Sequence, residues 1–83
     1  MHVRIVTHMN DPRLQQFGKR VRSTREKACL SQEELAARAG IHRTYIGGVE
    51  RGERNLGLSN VFRIADALGL PAASLLRGIR RNA

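Results

Sequence analysis

Residues 31–55, SQEELAARAGIHRTYIGGVERGERN, decide the fold of this chain. Ser31 and Glu34 have the spacing of a capping box, in which each side chain binds a backbone N–H left unpaired at the start of a helix. Gly40 suits the left-handed conformation that ends this helix, and His42 stands at the cap position of the next one. The segment therefore predicts two short helices joined by a tight turn, an arrangement that can place one helix in a DNA groove.

The flanking residues extend this pattern to five helices. Asp11 and Pro12 form a cap and a first turn, Ser59 is a cap after the loop that follows Gly52, and Pro71 opens the last helix. The chain is therefore expected to be all-α, a compact five-helix domain containing a helix-turn-helix. The predicted helices run from about 12 to 28, from Ser31 to Gly40, from Arg43 to about Glu50, from Asn60 to Leu68, and onward from Pro71 through the apolar Ile79.

The chain divides into one domain and two tails. Its 83 residues suffice for one domain with a small core. We assign residues 11–79 to that domain, residues 1–10 to a flexible or loosely docked N-terminal tail, and residues 80–83 to a basic C-terminal tail. Because this length leaves no room for a separate ligand-sensing domain, no small-molecule ligand is expected.

The net charge of +8, carried mainly by Arg, indicates a polyanionic partner, with a merely solubilising surface as the alternative. Residues 31–55 contain four basic and four acidic residues and are neutral. The positive charge therefore lies in the flanking segments, so part of any grip on phosphates is expected from the first helix, the tails or a second subunit.

Several classes of protein are disfavoured. No apolar run approaches the roughly 20 residues of a membrane span, and the N-terminus lacks a signal-peptide cleavage pattern, so we expect a cytoplasmic protein without a membrane partner. The single cysteine, Cys29, excludes an intrachain disulfide and is expected to be a buried, unreactive thiol. His2, His8 and His42 lack metal-ligand spacing, and no catalytic constellation is evident. We therefore expect no enzyme, no metal and no cofactor.

Residues 31–55 resemble the helix-turn-helix of the phage repressor and Cro family, also called the xenobiotic-response-element type. The run HRTYIGGVERGERN, residues 42–55, is further similar to the recognition segment of the controller proteins of restriction-modification systems. The resemblance covers about residues 15–77 and implies a lambda-repressor-like DNA-binding domain that needs no cofactor. Its shared features are a Gln after the cap, a Leu-Ala pair, a small residue before the turn glycine and a closing Glu-x-Gly, which here are Gln32, Leu35-Ala36, Ala39-Gly40 and Glu50-Arg51-Gly52.

The resemblance implies two sets of contacts with double-stranded operator DNA. Base contacts are expected from Arg43, Thr44 and Arg54, and Arg43 is the first choice for a bidentate contact with guanine. A phosphate contact is the alternative for Arg43, and packing as part of the core is the alternative for Tyr45. The expected phosphate contacts are Gln32, Tyr45, Gly47, Arg51 and Asn55.

The resemblance also implies a structural ion pair between Arg25 and Glu50, partly buried. Two features depart from the family. Cys29 stands where a glycine usually ends the first helix, so that end must either hold a strained residue or close without the left-handed turn. Gly47 replaces a Ser and lies beside Gly48, so the recognition helix either approaches the bases more closely or is frayed until it binds DNA.

Members of the family dimerise through their C-terminal helices, so the resemblance implies a homodimer on a pseudo-palindromic operator. It favours a sequence-specific transcription factor, a controller of a restriction-modification system. A phage-type repressor and the antitoxin of a toxin-antitoxin pair are the alternatives. The residues assigned to the dimer interface, about half of which could instead complete the monomer core, are Leu56, Leu70, Leu75, Leu76 and Ile79.

Overall fold

The computed structural model describes residues 11–81, and five helices and no strand occupy this range. The expected all-α fold is confirmed. The N-terminal tail expected at residues 1–10 and the last two residues of the basic tail, 82–83, lie outside the described residues. The helices are α1 (Pro12–Lys27), α2 (Gln32–Ala39), α3 (Arg43–Glu50), α4 (Leu58–Ala67) and α5 (Ala72–Leu76).

The first three helices begin at the residues expected from their side chains. The Asp11 carboxylate accepts a hydrogen bond from the backbone N–H of Arg13 at 2.9 Å. The Ser31 hydroxyl accepts from the N–H of Glu34 at 3.0 Å, and the Glu34 carboxylate accepts from the N–H of Ser31 at 2.8 Å. These bonds satisfy N–H groups that the helices leave unpaired, and the predicted capping box is confirmed.

The last two helices differ from their predicted bounds. Ser59 does not cap α4, because the extended Gly57 precedes the helix and its carbonyl accepts from the N–H groups of Asn60 and Val61. Ser59 therefore lies inside the first turn. α5 ends at Leu76 instead of continuing towards Ile79, because Arg77 is extended and Gly78 is left-handed.

The end of α1 explains how Cys29 is accommodated. The N–H of Leu30 donates to the carbonyl of Arg25 at 3.1 Å, and the N–H of Cys29 donates to that of Glu26 at 3.0 Å, which together form a Schellman motif. Cys29 holds the left-handed position with a φ of 60°, where a glycine would be unstrained. The side chain is exposed, so the expectation of a buried thiol was wrong: a turn at a helix end faces solvent.

The core lies where α1 and α2 pack on α3, with α4 and α5 closing the other side. Gly18 of α1 marks the closest approach, because a Cβ there would overlap the backbone carbonyls of Val49 and Glu50 at the end of α3. This contact fixes α3 against α1 without an intervening side chain. The buried core residues are Phe17, Val21, Leu35, Ala36, Ile46, Val49, Val61, Ile64, Ala65 and Leu75.

The segment after α5 is tied to α1 by side chains. The Arg20 guanidinium donates to the carbonyls of Ser74 and Arg77 at 3.0 and 2.9 Å. The Gln16 side-chain amide donates to the carbonyl of Arg80 at 2.9 Å. The first residue of the predicted basic tail is thus held against α1.

Candidate nucleic-acid interface

The N-terminal end of α3 presents two polar side chains to solvent. Arg43 and Thr44 are both exposed, and among the described residues Arg43 takes part in no ion pair. His42 begins the helix as expected, since its Nδ1 accepts from the N–H of Thr44 at 3.4 Å. This end of α3 can therefore offer a guanidinium and a hydroxyl to an external partner while its own backbone remains helical.

The opposite face of α3 is part of the core. Ile46 and Val49 are 0% and 1% exposed, and the Glu50 side chain is only 3% exposed. A buried carboxylate needs a cation and hydrogen-bond donors to offset the loss of water. The neighbouring helices α1 and α2 supply both.

The expected ion pair between Arg25 and Glu50 is present. Arg25 Nε donates to Glu50 Oε2 at 2.7 Å and Nη2 donates to Oε1 at 3.1 Å, which is a bidentate arrangement. Arg25 Nη1 also donates to the carbonyl of Leu30 at 2.8 Å. The bond to Glu50 raises the pKa of Arg25 above its usual value. The ion pair therefore fixes the position of α3 against the end of α1.

Gln32 belongs to the same network, which the sequence did not indicate. Its Nε2 donates to Glu50 Oε1 at 3.0 Å, so one of its two amide hydrogens points inward. The side chain is half-buried. A phosphate contact by Gln32 stays a prediction, and it would use the second amide hydrogen while the bond to Glu50 holds the side chain in place.

The adjacent glycines of α3 are both buried, and each is covered by the side chain of an arginine. A Cβ at Gly47 would lie 3.2 Å from Arg51 Nη1 and 3.7 Å from Gln32 Oε1. A Cβ at Gly48 would lie 2.8 Å from Arg54 Nε. The phosphate contact predicted at Gly47 would therefore require the covering side chains of Arg51 and Gln32 to move.

Tyr45 and Arg54 lie together beside this glycine pair. The Arg54 guanidinium carbon is 5.3 Å from the centre of the Tyr45 ring, within the range of a cation–π contact. The ring is half-buried against the core, and its hydroxyl accepts from Asn60 Nδ2 at 3.3 Å. The side chain of Tyr45 therefore packs on the core while its hydroxyl is held by α4.

The loop after α3 carries the remaining predicted contacts. Arg51 Nε lies 3.1 Å from Glu53 Oε2, and this hydrogen bond lowers the pKa of Glu53. Arg51 and Asn55 are exposed. Two of the predicted contact side chains, those of Gln32 and Tyr45, are partly covered. The others are exposed to an external partner: Arg43, Thr44, Arg51, Arg54 and Asn55.

The residues predicted for a dimer interface do not form one exposed surface. Leu75 is 0% exposed and fills the monomer core, so its assignment to an interface was wrong. Only Leu76 is exposed, at 44%. The structure adds two exposed apolar side chains of α4, Leu58 at 64% and Phe62 at 50%. The other three predicted interface residues are half-buried and pack against the core: Leu56, Leu70 and Ile79.

The described part of the chain contains no group of three or more His, Cys, Asp or Glu residues that could hold a metal ion. No helix between residues 11 and 81 combines the length and apolar character needed to cross a membrane.

The fold and the exposed end of α3 define a class of protein. Residues 21–75 match the model of a family described as helix-turn-helix, and the chain belongs to this family of transcription regulators. Its relatives include control protein C.BamHI of Bacillus amyloliquefaciens, which is 48% identical over 61 residues that make up 72% of this chain and 75% of that protein. The expected similarity to the controller proteins of restriction-modification systems is thus confirmed.

Solved structures show the same relationship. The restriction-modification controller protein C.AhdI of Aeromonas hydrophila matches with a TM-score of 0.74 and 47% identity over 75% of this chain and 94% of that one. The controller C.Esp1396I, solved bound to a 25 base pair operator site, matches with a TM-score of 0.71 and 28% identity over 76% of this chain and 83% of that one. The relatives are regulators, which is a different class from enzymes.

Proposed function

We propose that this protein is a sequence-specific transcriptional regulator that binds a pseudo-palindromic operator as a homodimer and controls a restriction-modification system. The observation that carries the proposal is the exposed N-terminal end of α3, where Arg43 and Thr44 stand on a helix fixed from behind by the buried pair of Arg25 and Glu50. A helix presented in this way can enter the major groove with its first residues at the base edges. The likeness to operator-binding and other controllers supports this reading.

We assign the reading of bases to Arg43, Thr44 and Arg54. The guanidinium of Arg43 can bind guanine O6 and N7 together, and Thr44 offers both a methyl group and a hydroxyl. Phosphate contacts fall to the exposed Arg51 and Asn55, with Gln32 and Tyr45 contributing from their partly covered positions. Gly47 could contribute its backbone only after the side chains that cover it move.

The distribution of charge supports a divided role. Residues 31–55 are neutral, whereas residues 11–28 contain six basic and two acidic residues. Long-range attraction to DNA therefore comes from outside the reading helix, while α3 and its loop provide the contacts that distinguish sequences.

The homodimer is proposed from the apolar surface of α4 and α5. Leu58 and Phe62 lie one turn apart on the same face of α4. Beside Leu76, a groove of about 320 Å³ is lined by Arg13 and by apolar residues that include Leu14, Leu56 and Val61. Exposed apolar side chains beside a groove of this kind suit the burial of a second copy.

Nuclease footprinting on the DNA upstream of the protein's own coding region tests operator binding. We expect a protected pseudo-palindrome with half-sites about one helical turn apart, that is about 34–36 Å. A scrambled fragment of the same composition and length is the control. Equal protection of both fragments would contradict sequence-specific binding.

Sedimentation of the free protein tests the dimer. We expect Phe62→Ser to shift the protein towards monomer, because it removes exposed apolar surface without touching the core. Ala37→Ser, an exposed change on α2, is the matched control and should sediment like the wild type. A Phe62→Ser variant as dimeric as the wild type would place the interface elsewhere.

The neighbouring genes test the assignment to restriction-modification. Adjacent reading frames for an endonuclease and a methyltransferase would support it. A short toxin-like frame or a phage lysogeny region would favour the antitoxin or the phage-type repressor instead.

A further inference from the structure

The two adjacent glycines of α3 differ in what covers them. A Cβ at Gly48 would lie 2.8 Å from Arg54 Nε and 3.1 Å from Arg54 Cγ, both closer than side chains normally approach. At Gly47 the nearest atom, Arg51 Nη1, is 3.2 Å away and is the tip of a flexible side chain. Arg54 therefore crosses α3 in space that only a glycine at position 48 leaves open.

The far end of Arg54 meets a fixed partner. Its guanidinium carbon lies 5.3 Å from the centre of the Tyr45 ring. That ring packs against the core, and Asn60 of α4 donates to its hydroxyl at 3.3 Å. The stem of Arg54 thus packs on the backbone of Gly48 and its guanidinium lies over the Tyr45 ring, which the hydrogen bond from α4 holds in place.

The fold itself does not require a glycine at position 48. The three atoms nearest to a Cβ there all belong to the side chain of Arg54, which can move, whereas a Cβ at Gly18 would meet the backbone of α3. A glycine within a helix costs about 1 kcal/mol relative to alanine. The loss of helix stability at Gly48 is matched by the space it leaves for Arg54, because any larger residue at position 48 would displace the stem of Arg54.

We infer that Gly48 is a positioning residue. Because it has no side chain, Arg54 can lie across α3 with its guanidinium over the Tyr45 ring, and the guanidinium therefore reaches the operator from a preset position. The inference rests on the proposed function, because it deepens the role given there to Arg54. A long side chain that is already ordered loses less conformational freedom when it binds, which favours selective contact. The side chains nearest to Gly47 are those of Arg51 and Gln32, so a change at Gly47 is the control for the position of Arg54 in the free protein.

The first arm of the test needs no DNA. Because the Arg54 guanidinium carbon lies 5.3 Å from the centre of the Tyr45 ring, NMR can follow the ring-current shift of the Arg54 δ-methylene protons. We expect this shift in the wild type and in Gly47→Ala, and its loss in Gly48→Ala. A shift that persists unchanged in Gly48→Ala would overturn the inference. Both variants should fold, because alanine favours a helix more than glycine does.

The second arm measures binding to the operator and to single-base variants of it at one salt concentration. We expect Gly48→Ala to reduce discrimination roughly tenfold, as Arg54→Ala does, since one good base contact has about that effect. The double variant should lose no more than either single variant, and Ala37→Ser, an exposed change on α2, should match the wild type. Wild-type selectivity in Gly48→Ala, or an equal loss in Ala37→Ser, would overturn the inference.

An error in the proposed function and an error in the role of Gly48 give different experimental results. A wild-type protein that binds operator and scrambled DNA equally would contradict that function. The NMR comparison of Gly47→Ala and Gly48→Ala would still decide whether Gly48 seats Arg54.

Discussion

The two faces of α3 are built in opposite ways. The inner face buries Ile46 and Val49 and holds Glu50 in a network with α1 and α2. The outer face begins with the exposed Arg43 and Thr44. The difference indicates that α3 is a fixed support for a few exposed side chains, as a reading surface requires. A change on the inner face should therefore cost stability, and a change on the outer face should cost recognition.

The largest effect is expected from the inner face at Glu50. Glu50→Ala would leave Arg25 buried without its partner, and we expect the free energy of unfolding to fall by about 3–5 kcal/mol. Urea denaturation followed by circular dichroism measures this. Glu53→Ala, which removes an exposed partner of Arg51, is the control and should change little. Equal losses in the two variants would contradict a structural role confined to the buried pair.

The next effect is expected where α1 meets the inner face. Gly18→Ala would place a methyl group against the carbonyls of Val49 and Glu50, and we expect a loss of about 1–3 kcal/mol from the strain of overpacking. Lys19→Ala, an exposed change beside it on α1, is the control for helix propensity. Gly18→Ala as stable as the wild type in thermal unfolding would show that α1 and α3 can separate at no cost.

A gain of stability is expected at the turn after α1, where the carbonyl of Leu30 accepts a hydrogen bond from Arg25. Cys29→Gly would relieve a left-handed residue with a φ of 60°, and we expect about 1 kcal/mol of stabilisation. Cys29→Ala separates this effect from the chemistry of the thiol, because alanine keeps the strain. The same stability in the glycine and alanine variants would show that the left-handed turn carries little strain.

The smallest effect is expected at the cap of α2, and it depends on pH. Hydrogen bonds from the backbone and hydroxyl of Ser31 lower the pKa of Glu34. A lowered carboxyl pKa stabilises the fold at a pH above the pKa of the unfolded chain, and this stabilisation is lost as the pH falls through the lower pKa of the folded protein. The difference in unfolding free energy between Glu34→Gln and the wild type should therefore become smaller as the pH falls, and urea denaturation at several pH values measures it. A difference that is constant with pH would argue against a charged cap.

The sequence was sufficient for the helices of residues 11–55. Caps such as Ser31 and the glycines that end helices act through neighbouring backbone groups, so their effect is visible in the sequence itself. The ion pair of Arg25 and Glu50 was available only from the family resemblance. The cap of α4 was misplaced, because Gly57 begins the helix through its backbone and gives no side-chain signal.

What the sequence could not provide depends on contacts between distant residues. Nothing in the order of residues shows that Gly18 meets the end of α3, that Gln32 donates to Glu50, or that Leu75 faces inward while Phe62 faces solvent. Each follows from how helices pack, and helical periodicity alone gives several faces that look apolar. The role of Gly48 was hidden for the same reason, since it depends on Arg54 lying across it.

The proposed reading surface of α3 can be changed without changing the fold, and the variant Arg43→Ala tests this separation. Binding to the operator and to a scrambled fragment is measured across a range of salt concentrations, and the unfolding free energy is measured on the same samples. We expect unchanged stability, a nearly unchanged salt dependence, and a reduced preference for the operator. Equal weakening of binding to both fragments, with a shallower salt dependence, would make Arg43 a phosphate contact and contradict its role in reading bases.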